Sequence, residues 1–354
     1  HSLVYGSTRH HVLQLKGYLA DGSYFDTDKR GEGELEKKIY AQLESWKNDP
    51  AKRALIEENF PDKSLRRRSC GYAIDEAIED DIDLCKLICG SEGTLCFITE
   101  IKVSLDPLPP TNHMVLCAHC QSLEDSYMAN LVALKHHPVA IELMDGKILE
   151  LSKGNTAAEK NRFFVEGDPA ALLISEFNGN DMDANADALE KEFQESSLAT
   201  TCTRVYGADV ERVWALRKAG LGVLSGMKGD AKPIGVIEDT AVAPERLPDY
   251  LKEFAKMLKR LGLSCVYYGH ISTGELHLRP IINIKTSEGK ALFRSVAEET
   301  AKLCKKHKGS LSGEHGDGRL RGEFIPLMYG EECYQMMREV KQCWDADGVF
   351  NTGK

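Results

Sequence analysis

The chain has 354 residues, 42% of them hydrophobic, with 45 Lys and Arg against 55 Asp and Glu, for a formal net charge of −10. That length supports a substantial core and, as a prior, two domains; the acidic balance leaves no electrostatic footprint for nucleic acid, and no apolar run is long enough to span a bilayer. No signal peptide opens the chain, and the 11 cysteines are scattered and odd in number, which argues against a complete disulfide framework and for a reducing cytoplasm.

In chain order, a helix is predicted from Gly33 to Trp46, with Leu35, Ile39, Leu43 and Trp46 on one stripe. Cys85 and Cys89, beside an acidic stretch, read as small packing residues. The segment Gly90-Ser91-Glu92-Gly93-Thr94-Leu95 precedes a strand near Leu95 to Ser104. Backbone N–H groups in such a loop can cradle a phosphate or a flavin edge; the plainer reading is a tight turn entering the strand. Asp106-Pro107-Leu108-Pro109-Pro110 blocks both helix and sheet and marks a linker.

After it, strands His113 to His119, Val139 to Met144, Leu172 to Phe177 and Thr201 to Tyr206 alternate with amphipathic helices, one carrying Leu123, Tyr127, Leu131 and Leu134. Cys117 and Cys120 have metal-like spacing, but three apart on a strand they face opposite ways. Further helices are Leu247 to Leu261, closed by Gly262, Lys290 to His307, closed by Gly309, and Glu331 to Trp344. The pattern predicts an α+β sandwich with helices on one face of a largely antiparallel sheet.

In the helix Ala208 to Leu221, Val210, Val213, Trp214 and Leu221 form the apolar stripe, and Arg217 falls on it. An inward guanidinium needs an anion: a bidentate ligand carboxylate, or a structural salt bridge to Asp239 or Glu238. The runs Ser264 to Ile271 and Glu275 to Ile281 read as a hairpin about a Thr273-Gly274 turn, which places His270 directly across from His277. Two imidazoles and a carboxylate leave open positions on a zinc, manganese or iron ion. Glu314 is the best remaining carboxylate, and His315 beside it, among glycines 313, 316 and 318, is then available as a general base. Scattered surface or core polar residues are the plainer alternative for all four. Arg279, two residues after His277 on the same face, could meet an anionic ligand or sit as a solvated rim charge.

Taken together, Gly90 to Leu95 with Ile98-Thr99-Glu100, the GHxxxGxLH hairpin at 269 to 277, Ser312-Gly313-Glu314-His315-Gly316, and the ending Asp345 to Lys354 resemble the FAD-linked 2-hydroxy-acid dehydrogenases of the vanillyl-alcohol oxidase superfamily. These include the glycolate oxidase D subunit, D-lactate dehydrogenase (cytochrome) and D-2-hydroxyglutarate dehydrogenase. The resemblance implies an α+β fold: the second half of a p-cresol-methylhydroxylase-type FAD-binding domain over residues 1–108, then a ferredoxin-like substrate and cap domain over 109–354 whose final segment returns to the flavin domain. The half of the FAD module that holds much of the pyrophosphate site is missing, so this chain by itself is expected to bind FAD poorly and to be inactive.

By motif, the resemblance makes His270, His277 and Glu314 the ligands of a divalent metal (Zn, Mn or Fe), His315 the proton-abstracting base and Arg217 the grip on the substrate carboxylate. Arg279 is a further substrate contact, and Gly90, Ser91, Glu92, Gly93, Thr94 and Asn351 are FAD contacts. The implied reaction takes a D-2-hydroxy acid such as D-lactate, glycolate or D-2-hydroxyglutarate to its 2-oxo acid by hydride transfer to FAD. Electrons then pass to a quinone, cytochrome, flavoprotein or iron-sulfur module. A cytoplasmic location, peripheral to the inner membrane face, and a homodimer go with that reading. Leu221 and Val236-Ile237-Glu238-Asp239 stand where some members have a threonine and a lysine, leaving a second substrate carboxylate to Lys228 or Lys232. Asn351-Thr352-Gly353-Lys354 replaces the more usual Asn-Pro-Gly-Lys. The alternatives are a metal-dependent hydrolase using the same two-His, one-Glu site, and a non-catalytic assembly domain. The Gly90 to Leu95 segment separates them, because a hydrolase has no need of it.

Overall fold

Pro107, Pro109 and Pro110 can neither donate to a sheet ladder nor continue a helix, and the chain changes units there. The computed structural model describes residues 2–353; His1 and Lys354, the last residue of the Asn-Thr-Gly-Lys ending, lie outside the described residues. One unit comprises residues 6–106 and 304–354, the other residues 1–5 and 107–303.

In the first unit, β1 (Val12–Tyr18), β2 (Tyr24–Asp26) and β3 (Phe97–Val103) form an antiparallel sheet in the order β2-β1-β3, with Lys16 opposite both Asp26 and Glu100. Helices Glu34–Lys47, Pro50–Asn59 and Ile325–Trp344 pack together, burying Ile39, Leu43, Trp46, Ile56, Val340 and Trp344. The second of these starts cleanly because the Asp49 carboxylate accepts from the Ala51 and Lys52 amides while Pro50 occupies the first turn. The last helix begins at Ile325 rather than at Glu331. Gly330 breaks it with φ 76° and ψ 160°, so regular hydrophobic spacing is legible only beyond the break.

The second unit is built on an eight-stranded antiparallel sheet. Its strands are β4 (His113–Cys120), β5 (Ala140–Asp145), β6 (Ala171–Asn178), β7 (Thr201–Tyr206), β8 (Lys232–Pro233), β9 (Ile237–Ala241), β10 (Cys265–Gly269) and β11 (Glu275–Ile282). The order is β7-β4-β6-β5-β10-β11-β8, with β9 also on β11. The first four strands, with helices Leu123–Ala133 and Met182–Ser196 as crossovers, make one βαββαβ ferredoxin-like motif.

Helices do not keep to one face, as the hydrophobic pattern had implied. Val115, Cys117, Met144, Leu172, Ile174, Val266 and Tyr268 share a core with Ile148, Val213, Leu216 and Leu224. The alternate residues Met114, Leu116, Leu173 and Phe177 are buried as well, and helices Leu123–Ala133 and Met182–Ser196 pack on these strands. The nearly unbroken apolar run Met114 to Cys120 is the mark of a strand covered on both faces. Cys117 and Cys120 are among the buried free thiols, in accord with a packing role. Among the described residues no helix is long and apolar enough to cross a membrane.

Candidate active site

The site begins with alternation. On β11 the side chains of Glu275, His277 and Arg279 share one face. Register carries that face across the sheet: His277 lies opposite Tyr268, Arg279 opposite Val266, Tyr268 opposite Met144, and Glu142 opposite Ile174. The helix Val210–Ser225 packs its buried residues on this same face. A polar cluster of Glu142, Arg217, Tyr268, His270, Glu275, His277 and Arg279 thus stands at the margin of an apolar layer.

The hairpin register differs from the expected one. His277 pairs with Tyr268, not with His270. Thr273-Gly274 does not form a two-residue turn, because the mirror-image turns need positive φ at the central residues and a β-branched threonine resists it. Instead Ile271–Thr273 form a 3₁₀ turn closed by Gly274 at φ 75°. A slip of two residues leaves His277 on its face, and the two imidazole rings still approach to 5.3 Å. Asn130, fully buried on the helix Leu123–Ala133, donates to the Ile271 carbonyl and pins the loop from behind.

Each histidine is oriented by a partner on Nδ1. His270 Nδ1 donates to Glu142 Oε1 at 2.6 Å, and His277 Nδ1 donates to the Glu238 carbonyl at 2.7 Å. Those bonds place the hydrogen on Nδ1 and the lone pair on Nε2, the arrangement by which metal-binding histidines are usually held. Donor atoms of His270, Glu275 and His277 all lie within 4.8 Å of one another. Two imidazoles and a carboxylate fit a divalent transition metal.

Arg217 Nε and Nη2 donate to Glu142 Oε2 at 3.0 and 2.7 Å, and its guanidinium lies 5.2 Å from the Tyr268 ring centre. Its partner within the chain is therefore Glu142, rather than Asp239 or Glu238. Burial alone would raise the Glu142 carboxyl, but the His270 hydrogen bond and the Arg217 charge outweigh it and hold the group down at about 2. Arg279 is ion-paired with Glu238, and its Nε donates to the Tyr268 hydroxyl at 2.9 Å. Leu221, expected on the buried stripe, is 47% exposed; the stripe instead runs through Leu216, Gly220 and Leu224.

In the other unit, Glu314 is ion-paired with Arg67, and His315 Nε2 lies 3.6 Å from Glu314 Oε1. Gly90, Glu92 and Gly93 all have positive φ, at 88°, 55° and 68°. The Ser91 and Thr94 amides donate to the carbonyls of Ile88 and Ser91, so these two N–H groups close a turn and are not part of a phosphate cradle. The Glu92 carboxylate accepts from the Asp317 and Gly318 amides, and Asn351 Nδ2 donates to the Glu92 carbonyl at 2.8 Å. A cavity of about 290 Å³ lined by Gly90, Ser91, Glu92, Thr94 and Asp317 adjoins this turn. That lies just under the range of pockets that hold a drug-sized ligand.

Glu142, Glu238 and Glu275 were missed as site residues. Glu142 had a legible signal, a charge inside the apolar run Ala140 to Met144. Glu275 had one too, since it lies two positions before His277 and so on the same face. Nothing local marked the Glu238 carbonyl.

The chain is thus an α+β protein with a ferredoxin-like sheet and a polar cluster on one sheet face. Residues 109–354 match the family described as FAD linked oxidases, C-terminal domain, and the chain belongs to it. It is similar to the D-2-hydroxyglutarate dehydrogenase of Pantoea ananatis, with 32% identity over 383 residues, covering 100% of this chain and 36% of that enzyme. It is also similar to the D-lactate dehydrogenase of Archaeoglobus fulgidus, with 23% identity over 354 residues, covering 100% and 66%. The chain thus spans little more than a third of the length of the former. Among solved structures, p-cresol methylhydroxylase with substrate bound matches with a TM-score of 0.58 at 12% identity, over 96% of this chain and 65% of that one, a likeness of fold alone.

Proposed function

We propose that this chain is the substrate-side portion of a flavin-dependent dehydrogenase that oxidises a D-2-hydroxy acid, such as D-lactate, glycolate or D-2-hydroxyglutarate, to the 2-oxo acid. The observation that carries the reading is the pair His270 and His277, each with Nδ1 fixed by an acceptor, on the same sheet face as Arg217. The names of the relatives supply the substrate class.

His270 and His277, with Glu314 as the resemblance gives it, would hold a divalent ion, which when bound lowers the pKa of a coordinated substrate hydroxyl. FAD, when bound, accepts the hydride from the substrate carbon. Arg217 receives the substrate carboxylate on the part of its guanidinium that Glu142 does not engage, and the Glu142 contact fixes the plane of that fork. His315 takes the hydroxyl proton, so the substrate gives up one hydride and one proton and leaves as the ketone. Gly90 to Thr94 and Asn351 border one edge of the flavin nucleotide. A quinone, cytochrome, flavoprotein or iron-sulfur module takes the electrons onward.

The test is flavin reduction by D-2-hydroxy acids in the FAD-loaded whole dehydrogenase of which this chain is proposed to be a portion. His315→Ala is expected to slow reduction by a factor of about 10² or more, and Arg217→Met to raise the half-saturating acid concentration. Reduction at the wild-type rate in His315→Ala removes the base.

A further inference from the structure

We propose that Glu275 is a direct ligand of the cation that His270 and His277 bind, so that the unit of residues 107–303 supplies three donors by itself. The inference rests on the metal reading above and deepens it. Glu275 and His277 alternate on one strand, two residues apart, so their side chains leave the same sheet face. Glu275 is completely buried, directly after the turn that Gly274 closes, and its carboxylate sits with both imidazoles inside 4.8 Å. Donors each about 2.1 Å from a common ion stand about 3.0–3.4 Å apart at tetrahedral or octahedral angles, so side-chain adjustments of at most about 1.8 Å between any pair complete the set.

Charge points the same way. Both histidines act as Nδ1 donors and, when neutral, bring no charge to an ion. Within this unit Glu275 supplies the carboxylate of the donor group that contains both imidazoles. Two imidazoles and the Glu275 carboxylate would leave positions on a divalent ion for Glu314 and for an oxygen ligand from a 2-hydroxy acid.

The test is metal binding by the whole chain, read without turnover: Zn²⁺ in competition with a chromophoric chelator, and the visible absorption of bound Co²⁺. Glu275→Gln is expected to weaken Zn²⁺ binding about tenfold or more and to shift the Co²⁺ bands, with an unchanged circular-dichroism spectrum. Wild-type affinity and unchanged bands in a folded Glu275→Gln overturn the proposal. If that variant does not fold, Glu275→Asp decides the matter: a shifted Co²⁺ spectrum supports ligation and an unshifted one overturns it. His270→Ala and His277→Ala separate the two readings. If both bind as tightly as the wild type, the metal reading itself fails; if both lose the ion while Glu275→Gln keeps it, only the role of Glu275 fails.

Discussion

Glu142 shows what a single side chain does here. It stands in an apolar strand, yet its two oxygens divide between Arg217 and His270, so one carboxylate orients both a guanidinium and an imidazole. Removing one partner of a buried pair leaves the other charge uncompensated. Glu142→Met is therefore expected to lower unfolding stability by roughly 3–5 kcal/mol in urea titrations, and Glu142→Met with Arg217→Met by less than that single change. Asp145 is a second case. It caps the helix Gly146–Ser152 through the Ile148 amide and accepts from the Tyr267 amide, and burial pushes its carboxyl up from 3.8 to about 6. The folded state then keeps a proton that the unfolded chain releases between about pH 4 and 6. Stability from this group is greatest below pH 4 and is lost as pH rises through 6, by about 3 kcal/mol at pH 7. The stability difference between wild type and Asp145→Asn, measured by urea titration from pH 4 to 7, is expected to shift against the wild type by that order.

At the scale of the element, the β10–β11 hairpin decides where the histidines go. A Cβ on Gly274 would lie 1.6 Å from the Val242 carbonyl oxygen, at φ 75°. Gly262 has a similar φ of 67° but nothing within 4 Å of the added carbon. It closes the helix Leu247–Arg260 with Gly262 N bonded to Lys259 O and Leu263 N to Leu258 O, the paired bonds of a glycine stop. Gly262→Ala is thus expected to cost about 1 kcal/mol, the left-handed backbone penalty alone. Gly274→Ala is expected to cost more than about 3 kcal/mol by the same thermal or urea measurement, because backbone must move. Equal costs would remove the role given to the close approach. The helix Leu247–Arg260 and most strand bounds were legible from periodicity. The hairpin register was not, because a 3₁₀ turn and a tight turn share the same Thr-Gly signature.

At the scale of the molecule, the chain divides into two units. The unit of residues 107–303 holds the histidine pair, Arg217, Arg279 and Glu275, and the other holds Glu314, His315 and the Gly90 to Thr94 turn. In the latter, every residue of β3 is exposed, with Phe97 at 60% and Ile101 at 58%. An apolar strand at a sheet edge is a template for association. The chain is expected to associate with rising concentration, and Phe97→Lys with Ile101→Lys to reduce that association in light scattering. Unchanged scattering in the double variant removes β3 as the cause.

The residues by themselves determined the family, the proline-marked change of unit, the antiparallel strands and the identity of the histidine pair, because motif spacing and periodicity are local properties. Only the tertiary structure decided that Arg217 meets Glu142, that Nδ1 of each histidine is already engaged, and that Glu275 completes a three-donor cluster. Those contacts join residues up to 128 positions apart, as with Glu142 and His270. Pairing at that distance is set by sheet register and helix placement, which a linear pattern does not encode.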